Sequence, residues 1–199
     1  MSLTHLSQDL VLAQIIATTP APKLAFDYEG DVYLALLESI VSQQISVKAA
    51  NAIFTRFRAL FPENYPYPDL LVALSAEELR TAGLSGQKSA YLQSVAQFSM
   101  QNRLDSAYFT ALTDEEVVQY LIPIKGVGRW TVEMLLMFVL DRPDVFPVDD
   151  LVIRQKMVRA YELTETGRAL YQRLHEIAES WRPYRTLACR YLWRWQPPV

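Results

Sequence analysis

The chain has 199 residues, 51% of them hydrophobic and 21% charged, with a net charge of −3 and a pI near 5.5. Such a composition can bury a sizeable core and excludes a disordered protein. The acidic balance argues against a protein that coats nucleic acid non-specifically, because those proteins are usually basic, but it is compatible with a local basic site.

In the N-terminal half, apolar residues recur at the spacing of α-helices. The first helix is amphipathic and lacks the basic start and long apolar run of a signal peptide. Prolines at positions 62, 66 and 68 predict a loop, and a capping box at residues 75–78 predicts the start of a short helix. The predicted helices of this half are, in order, residues 1–16, 34–45, 53–60, 75–83 and 85–102.

The C-terminal half is also helical, and no segment alternates as a strand does. A second capping box at residues 113–116 starts a helix that ends near Pro123, and a tight turn follows at residues 124–128. The fold class is therefore all-α. Further helices are predicted at about residues 129–140, from Asp149 or Asp150 onward, at 167–180 and at 184–195. The most apolar stretch, residues 132–140, is too short to span a membrane and is interrupted by a glutamate.

The single cysteine, Cys189, limits the chemistry of the chain. One thiol cannot form an internal disulfide, and it cannot hold a structural metal or a four-cysteine iron–sulfur cluster. We expect Cys189 to be a small buried side chain.

The turn at residues 124–128, with sequence IKGVG, joins two predicted helices. Its two glycines let the backbone turn sharply and leave N–H groups uncovered at the start of the next helix, where the helix dipole favours an anion such as a DNA phosphate. On its own the motif fits a plain helix-turn-helix equally well. The residues of this candidate phosphate site are Lys125, Gly126, Val127, Gly128 and Arg129.

Two adjacent aspartates, Asp149 and Asp150, follow an extended, proline-containing loop at residues 145–148. One of them can cap the next helix by accepting its free N–H groups. Neighbouring residues on a helix do not share a face, so the other carboxylate can serve a function. Taken alone, the pair favours the interpretation that both aspartates only cap and solvate the helix.

The order of these features carries more weight than any one of them. A glycine hairpin, a long apolar helix, a proline loop and an aspartate resemble the helix-hairpin-helix (HhH-GPD) DNA glycosylase superfamily. The similarity extends upstream to residues 37–50 and downstream to residues 181–185 and 191–193, and covers about residues 30–195. Within the superfamily the chain looks most like the DNA-3-methyladenine glycosylase II branch.

The resemblance implies one domain over residues 1–199, a compact two-lobed helical fold with the active site in the cleft between the lobes. The hairpin would span about residues 114–140, and the catalytic loop and helix about residues 141–160. Lyase-type members carry a lysine at the position of Trp130, so we expect a monofunctional enzyme. The resemblance also implies no required cofactor and no iron–sulfur cluster, with a Na⁺ or K⁺ ion held by hairpin carbonyls.

Carried over residue by residue, the resemblance makes Asp150 the catalytic carboxylate, with Asp149 as the helix cap. Gln44 would be the wedge that fills the gap left by a flipped base. Trp130 and Trp193 would line the base pocket, where an indole attracts an alkylated, cationic purine, although Trp193 fits core packing equally well. Trp181 and Trp195 are expected in the core.

The expected substrate is double-stranded DNA with alkylated purines of the 3-methyladenine and 7-methylguanine type, bound by a monomer in the bacterial cytoplasm or a eukaryotic nucleus. Two alternatives stay open. A bifunctional glycosylase/lyase would need an amine nucleophile, and the only lysines in these motifs, Lys48 and Lys125, are not at the position of the lyase lysine. A non-catalytic DNA-binding module would use only the hairpin and would release no free base.

Overall fold

The computed structural model describes residues 1–22 and 30–197, and this part of the chain is α-helical, as predicted. Within the described residues no β-strand forms, and Asp31 and Asp105 make one isolated bridge. The helices are α1 (Ser2–Leu6), α2 (Leu10–Thr18), α3 (Val32–Ser42), α4 (Val47–Arg58), α5 (Pro68–Ala73), α6 (Ala76–Thr81), α7 (Gly86–Gln101), α8 (Ser106–Thr110), α9 (Asp114–Leu121), α10 (Arg129–Phe138), α11 (Leu151–Ala160), α12 (Gly167–Glu179) and α13 (Arg185–Arg194).

The described residues form two compact units. One, here called the central unit, takes residues 30–135, and the other, the terminal unit, takes residues 1–22 and 136–197. In the central unit α3 packs against α4 and α7, and in the terminal unit α13 packs against α2 and α11. Each unit therefore has a core of its own, and each contains part of the predicted site.

Local sequence explains where the helices begin. Both predicted capping boxes form: Ser75 and Glu78 exchange hydrogen bonds at the start of α6, and Thr113 and Glu116 do so at the start of α9. Gly83, with a φ of +94°, ends the α6 segment in a conformation that a side chain would disfavour. These boundaries agree with the sequence because capping chemistry is local.

Two segments differ from the sequence prediction. The proline-rich stretch is not only a loop, because Pro68 is the first residue of α5 and Pro62 begins a short 3-10 helix (Pro62–Asn64). Proline suits the first turn of a helix, since its missing N–H would have no intrahelical partner there. The predicted single N-terminal helix is two helices, because Asp9 caps α2 through bonds from the N–H groups of Val11 and Leu12.

Asp9 also ties the N-terminal helices to the rest of the terminal unit. Its Oδ2 atom accepts hydrogen bonds from the Tyr161 hydroxyl at 2.6 Å and from Trp181 Nε1 at 3.1 Å. Trp181 is fully buried, as expected, and so is Cys189. Among the described residues no helix is both long and apolar enough to cross a membrane.

Candidate active site

The predicted hairpin forms between α9 and α10. Gly126 has a φ of +88°, and the Val127 N–H donates to the Ile124 carbonyl at 3.0 Å, which closes the turn. A Cβ at Gly126 would lie 2.4 Å from the Tyr91 ring, whereas a Cβ at Gly128 would meet nothing within 4 Å. The first glycine is therefore required by the fold, and the second leaves the start of α10 open to solvent.

The hairpin has donors for an anion. In the described part of the chain the N–H groups of Gly126 and Gly128 donate to no protein acceptor. The Arg129 side chain adds a cation at the same end of α10, where its guanidinium donates to Glu115 at 2.8 and 2.9 Å. Because this bond favours the charged carboxylate, it lowers the pKa of Glu115. Backbone donors, a helix start and a surface arginine are the groups that bind a phosphate.

The turn between α3 and α4 carries the predicted wedge. Gln44 is exposed and has a φ of +60°, which is uncommon for a residue with a side chain. The preceding residue, Gln43, donates from Nε2 to the Gly126 carbonyl at 3.1 Å. The structure therefore links the turn that holds Gln44 directly to the hairpin.

Asp150 lies at the start of α11 in the terminal unit and is only 7% exposed. Its Oδ1 atom accepts two hydrogen bonds, from the Ile153 N–H at 2.9 Å and from Trp193 Nε1 at 3.1 Å. The proline loop delivers it there, and the Asp150 N–H donates to the Pro147 carbonyl at 2.9 Å. A buried, doubly held carboxylate has the fixed orientation that stabilising a developing positive charge requires.

The capping role predicted for Asp149 is wrong. Asp150, not Asp149, caps α11. Asp149 is exposed; it accepts a hydrogen bond from the Tyr171 hydroxyl at 3.2 Å and lies 3.7 Å from Arg154. The N-cap residue must have extended backbone geometry and place its carboxylate over the third N–H of the helix, and Asp150 meets both requirements.

The tryptophans have different environments. Trp193 is half-buried, and its ring lies 5.4 Å from the Phe138 ring, tilted by 31°. Trp130 is in the central unit on the first turn of α10 and is 39% exposed. Trp195, expected in the core, is only half-buried. The structure thus brings Trp193 and Asp150 together within one unit, and it brings the Gln44 turn and the hairpin together within the other.

Sequence reasoning missed two lysines that hold the segments bearing these residues. Lys88 on α7 donates from Nζ to the carbonyls of Val41 and Gln43, at 2.5 and 2.9 Å. Lys156 on α11 donates from Nζ to the carbonyls of Trp193 and Trp195, at 2.7 and 2.6 Å. Burial lowers the pKa of both lysines. No local pattern could have revealed them, because each partner is distant in sequence.

Among the described residues, no three or more His, Cys, Asp or Glu side chains are grouped so that they could hold a metal ion. Backbone carbonyls offer a different kind of ligand. In the hairpin the carbonyls of Leu121 and Ile124 each accept one N–H, from Ile124 and Val127 respectively. A carbonyl oxygen keeps a second lone pair after accepting one N–H, so hairpin carbonyls are of the ligand type that a monovalent cation takes.

A profile of the HhH-GPD superfamily of base excision DNA repair proteins matches residues 37–183. The chain belongs to this superfamily. The match includes the Gln44 turn, the hairpin and the aspartate loop, and it confirms the resemblance noted in the sequence.

Individual HhH-GPD proteins are similar over most of the chain. DNA-3-methyladenine glycosylase 1 of Schizosaccharomyces pombe is 38% identical over 164 residues, which are 81% of this chain and 71% of that protein. The structure of S. pombe 3-methyladenine DNA glycosylase (Mag1) in complex with abasic DNA has a TM-score of 0.81 and 33% identity, covering 96% of this chain and 94% of that one. The crystal structure of a DNA-3-methyladenine glycosidase from Bacillus halodurans has a TM-score of 0.82 and 35% identity, covering 96% of this chain and 86% of that one.

Proposed function

We propose that this HhH-GPD protein binds double-stranded DNA, flips an alkylated purine out of the helix and hydrolyses its bond to the sugar with Asp150 as the catalytic carboxylate. The chain is a monofunctional base-excision DNA glycosylase that removes 3-methyladenine and related alkylated bases, in agreement with its superfamily and its relatives. One observation carries the proposal for Asp150: its carboxylate is buried at the end of the proline loop and accepts two hydrogen bonds.

The chemistry required of Asp150 is modest. When the bond between C1′ and the base nitrogen breaks, its electron pair leaves with the base and the sugar becomes an oxocarbenium ion. The carboxylate stabilises this charge, and water then forms the new bond at C1′ and loses a proton. A base alkylated at N3 or N7 is cationic and leaves as a neutral molecule, so no second acid is needed.

Two indoles would recognise the flipped base. Trp130 offers an exposed ring, and Trp193 offers a half-buried ring backed by Phe138. A cation against an indole face gains about 0.5–2 kcal/mol, which favours alkylated over ordinary purines. The absence of a lysine at position 130 removes the amine that a lyase step would use.

The central unit would supply DNA binding. The open N–H groups of the hairpin, with Lys125 and Arg129, would hold a backbone phosphate, and Gln44 would fill the gap left by the base. Backbone carbonyls of the hairpin would hold a monovalent cation, which would supply positive charge beside the phosphate when bound. We propose that the protein acts as a monomer where its DNA substrate lies, in the bacterial cytoplasm or in a eukaryotic nucleus.

Asp150→Asn tests the proposal directly. Asparagine is nearly isosteric and its Oδ1 can still accept from Ile153 and Trp193, so the fold should survive. Single-turnover release of free base from methylated DNA should fall by a factor of about 100 or more, since the charge is lost from the transition state. Lesion-DNA affinity and the thermal midpoint should change little.

The matched control is Asp149→Asn, which changes the same chemistry one residue earlier on an exposed side chain. We expect near-normal base release from it. If Asp149→Asn is the inactive variant, or if Asp150→Asn releases base at a normal rate, the assignment of the catalytic carboxylate is wrong. Release of no free base by the unmodified protein would favour the DNA-binding module instead.

A further inference from the structure

We infer that Lys156 is a positioning residue for base excision, acting through Trp193 to fix the Asp150 carboxylate. The inference rests on the proposed role of Asp150. The effect of Lys156 would pass through one tryptophan, which Lys156 holds by the backbone and Asp150 holds by the side chain.

Lys156 acts at the end of α13. The last carbonyls of any helix lack N–H partners from the helix itself. Here the Lys156 ammonium supplies donors to the carbonyls of Trp193 and Trp195. A cation at a helix C-terminus is also favoured by the helix dipole. Lys156 thereby fixes the backbone at the residue whose side chain reaches Asp150.

The Trp193 indole connects this helix end to the carboxylate. Trp193 Nε1 donates to Asp150 Oδ1 at 3.1 Å, and the Phe138 ring packs at 5.4 Å. Trp193 is thus held at its carbonyl by Lys156 and at its ring by Asp150 and Phe138. Both polar contacts come from α11, one from its N-cap and the other from its sixth residue. The two helices are therefore joined at two points of one residue, the carbonyl and the indole of Trp193.

The Asp150 carboxylate depends on this indole for its orientation. Its Oδ1 atom accepts from both Ile153 N and Trp193 Nε1. Rotation of the carboxylate would break both bonds, so the two donors fix its plane. If the end of α13 loosens, the indole loses its backbone support and its bond to Asp150 weakens. The carboxylate is then less well oriented toward the sugar, and the rate of bond cleavage falls.

The experiment compares Lys156→Met with a control at the neighbouring exposed residue, Gln155→Met. Methionine keeps the apolar stem of the lysine and removes its donors. We expect Lys156→Met to lower single-turnover excision about tenfold, while affinity for lesion DNA stays within about twofold. Gln155→Met should leave both unchanged. An excision rate within about twofold of normal in Lys156→Met overturns the inference.

A spectroscopic measurement separates positioning from general destabilisation. The chain has four tryptophans, so its ¹⁵N spectrum should contain four indole N–H resonances, and Trp193→Phe identifies one of them. We expect Lys156→Met to move the Trp193 resonance most. In the Trp193→Phe background, Lys156→Met should lower the rate no further, because the route to Asp150 is already cut. An equal further loss there would show that Lys156 acts independently of Trp193 and would overturn the inference.

Two further variants keep the result interpretable. If Lys156→Met does not fold, Lys156→Gln keeps an uncharged amide NH₂ as donor and should give a rate between that of Met and that of lysine. A rate equal to that of lysine counts against the inference. Asp150→Asn separates failure of the proposed function from failure of the positioning role. If Asp150→Asn leaves excision intact, the proposed function fails. If Asp150→Asn abolishes excision and Lys156→Met does not slow excision, only the positioning role of Lys156 fails.

Discussion

In each unit a half-buried lysine reaches from one helix to the last carbonyls of another. In the central unit Lys88 binds the end of α3, and in the terminal unit Lys156 binds the end of α13. Burial disfavours the charge of both lysines and therefore lowers their pKa. An apolar residue at either position would avoid this cost of desolvating a charge. Carbonyls without intrahelical partners explain why a cation is kept there.

The two lysines differ in the residues that lie beyond the helix end. The helix end that Lys88 contacts is followed by Gln44, which has a left-handed backbone, and Gln43 donates a hydrogen bond to the hairpin. Lys88 therefore supports groups that are proposed to bind DNA. Beside Lys156 lies the Trp193 bond to Asp150, so this lysine supports the proposed chemistry. We therefore expect changes in the central unit to alter DNA affinity, and changes in the terminal unit to alter the rate of excision once DNA is bound.

The largest effect is expected from Gly126→Ala in the central unit. A Cβ there would lie 2.4 Å from the Tyr91 ring and would need a φ of +88°, so the free energy of unfolding should fall by about 2–4 kcal/mol. Urea denaturation measures this. Gly128→Ala is the control, because its Cβ would meet nothing within 4 Å, and it should lose less than about 1 kcal/mol. Equal losses would contradict the structure of the turn.

Gly128→Asp should separate binding from folding. The site accommodates a side chain, but a carboxylate at the proposed phosphate contact repels DNA, and affinity for lesion and undamaged duplexes alike should fall about tenfold. Fluorescence anisotropy at fixed salt measures both. A loss confined to lesion DNA would place the phosphate contact elsewhere. At saturating enzyme the excision rate should recover, which is the behaviour expected of the central unit.

Gln44→Ala should weaken binding of lesion duplexes about three- to tenfold, because the wedge stabilises only the state with a flipped base. Methylated single strands need no wedge and should be excised nearly as well as before. Comparing the two substrates in competition assays gives the answer. The same loss on both would indicate a damaged fold and not a missing wedge.

Lys88→Met tests the comparison between the units most directly. Removing its donors should free the carbonyls of Val41 and Gln43 and lower lesion-duplex affinity about threefold, with the bound-state excision rate unchanged. Lys156→Met should instead lower the bound-state excision rate and leave lesion-duplex affinity nearly unchanged. If both lysines change affinity, or both change the rate, the functional distinction between the units is wrong.

The smallest effect concerns alkaline pH. Burial and Asp9 raise the pKa of Tyr161 in the terminal unit, and burial and Asp31 raise that of Tyr65 in the central unit, above the ordinary 10.0. The stability this contributes is complete below pH 10 and is lost as the pH rises above it, because the unfolded chain ionises first. Up to pH 11 only the unfolded phenols ionise, so Tyr161→Phe and Tyr65→Phe should each flatten this decline to a similar extent. Thermal midpoints between pH 8 and 11 measure the decline, and an unchanged slope in either variant would contradict the raised pKa of that tyrosine.

Much of this structure was predictable because its causes are local. Capping boxes, the glycine hairpin and the burial of Trp181 depend on neighbouring residues or on simple hydrophobicity. The start of α5 at Pro68 was missed because proline is read as a helix breaker, although it is compatible with a first turn. The five-residue α8 is too short to show a period.

The candidate site was harder to predict where it depends on distant residues. The catalytic role predicted for Asp150 stays a prediction, and the capping role that Asp150 has in the structure was assigned to Asp149 because adjacent aspartates look alike in sequence. The contacts of Lys88 with Val41 and of Lys156 with Trp193 join residues on separate helices, so only the folded chain reveals them. The remaining site assignments stay predictions for the experiments above.

The burial of Cys189 makes the protein convenient for site-specific labelling. The chain has no other thiol, and this one is shielded from reagents in solution. A cysteine placed at an exposed position, such as Gln44 or Trp130, would therefore be the only site to react with a fluorophore. It would also attack a disulfide tethered to a DNA base, releasing that disulfide's outer thiol and forming a mixed disulfide that traps the complex without altering the native sulfur.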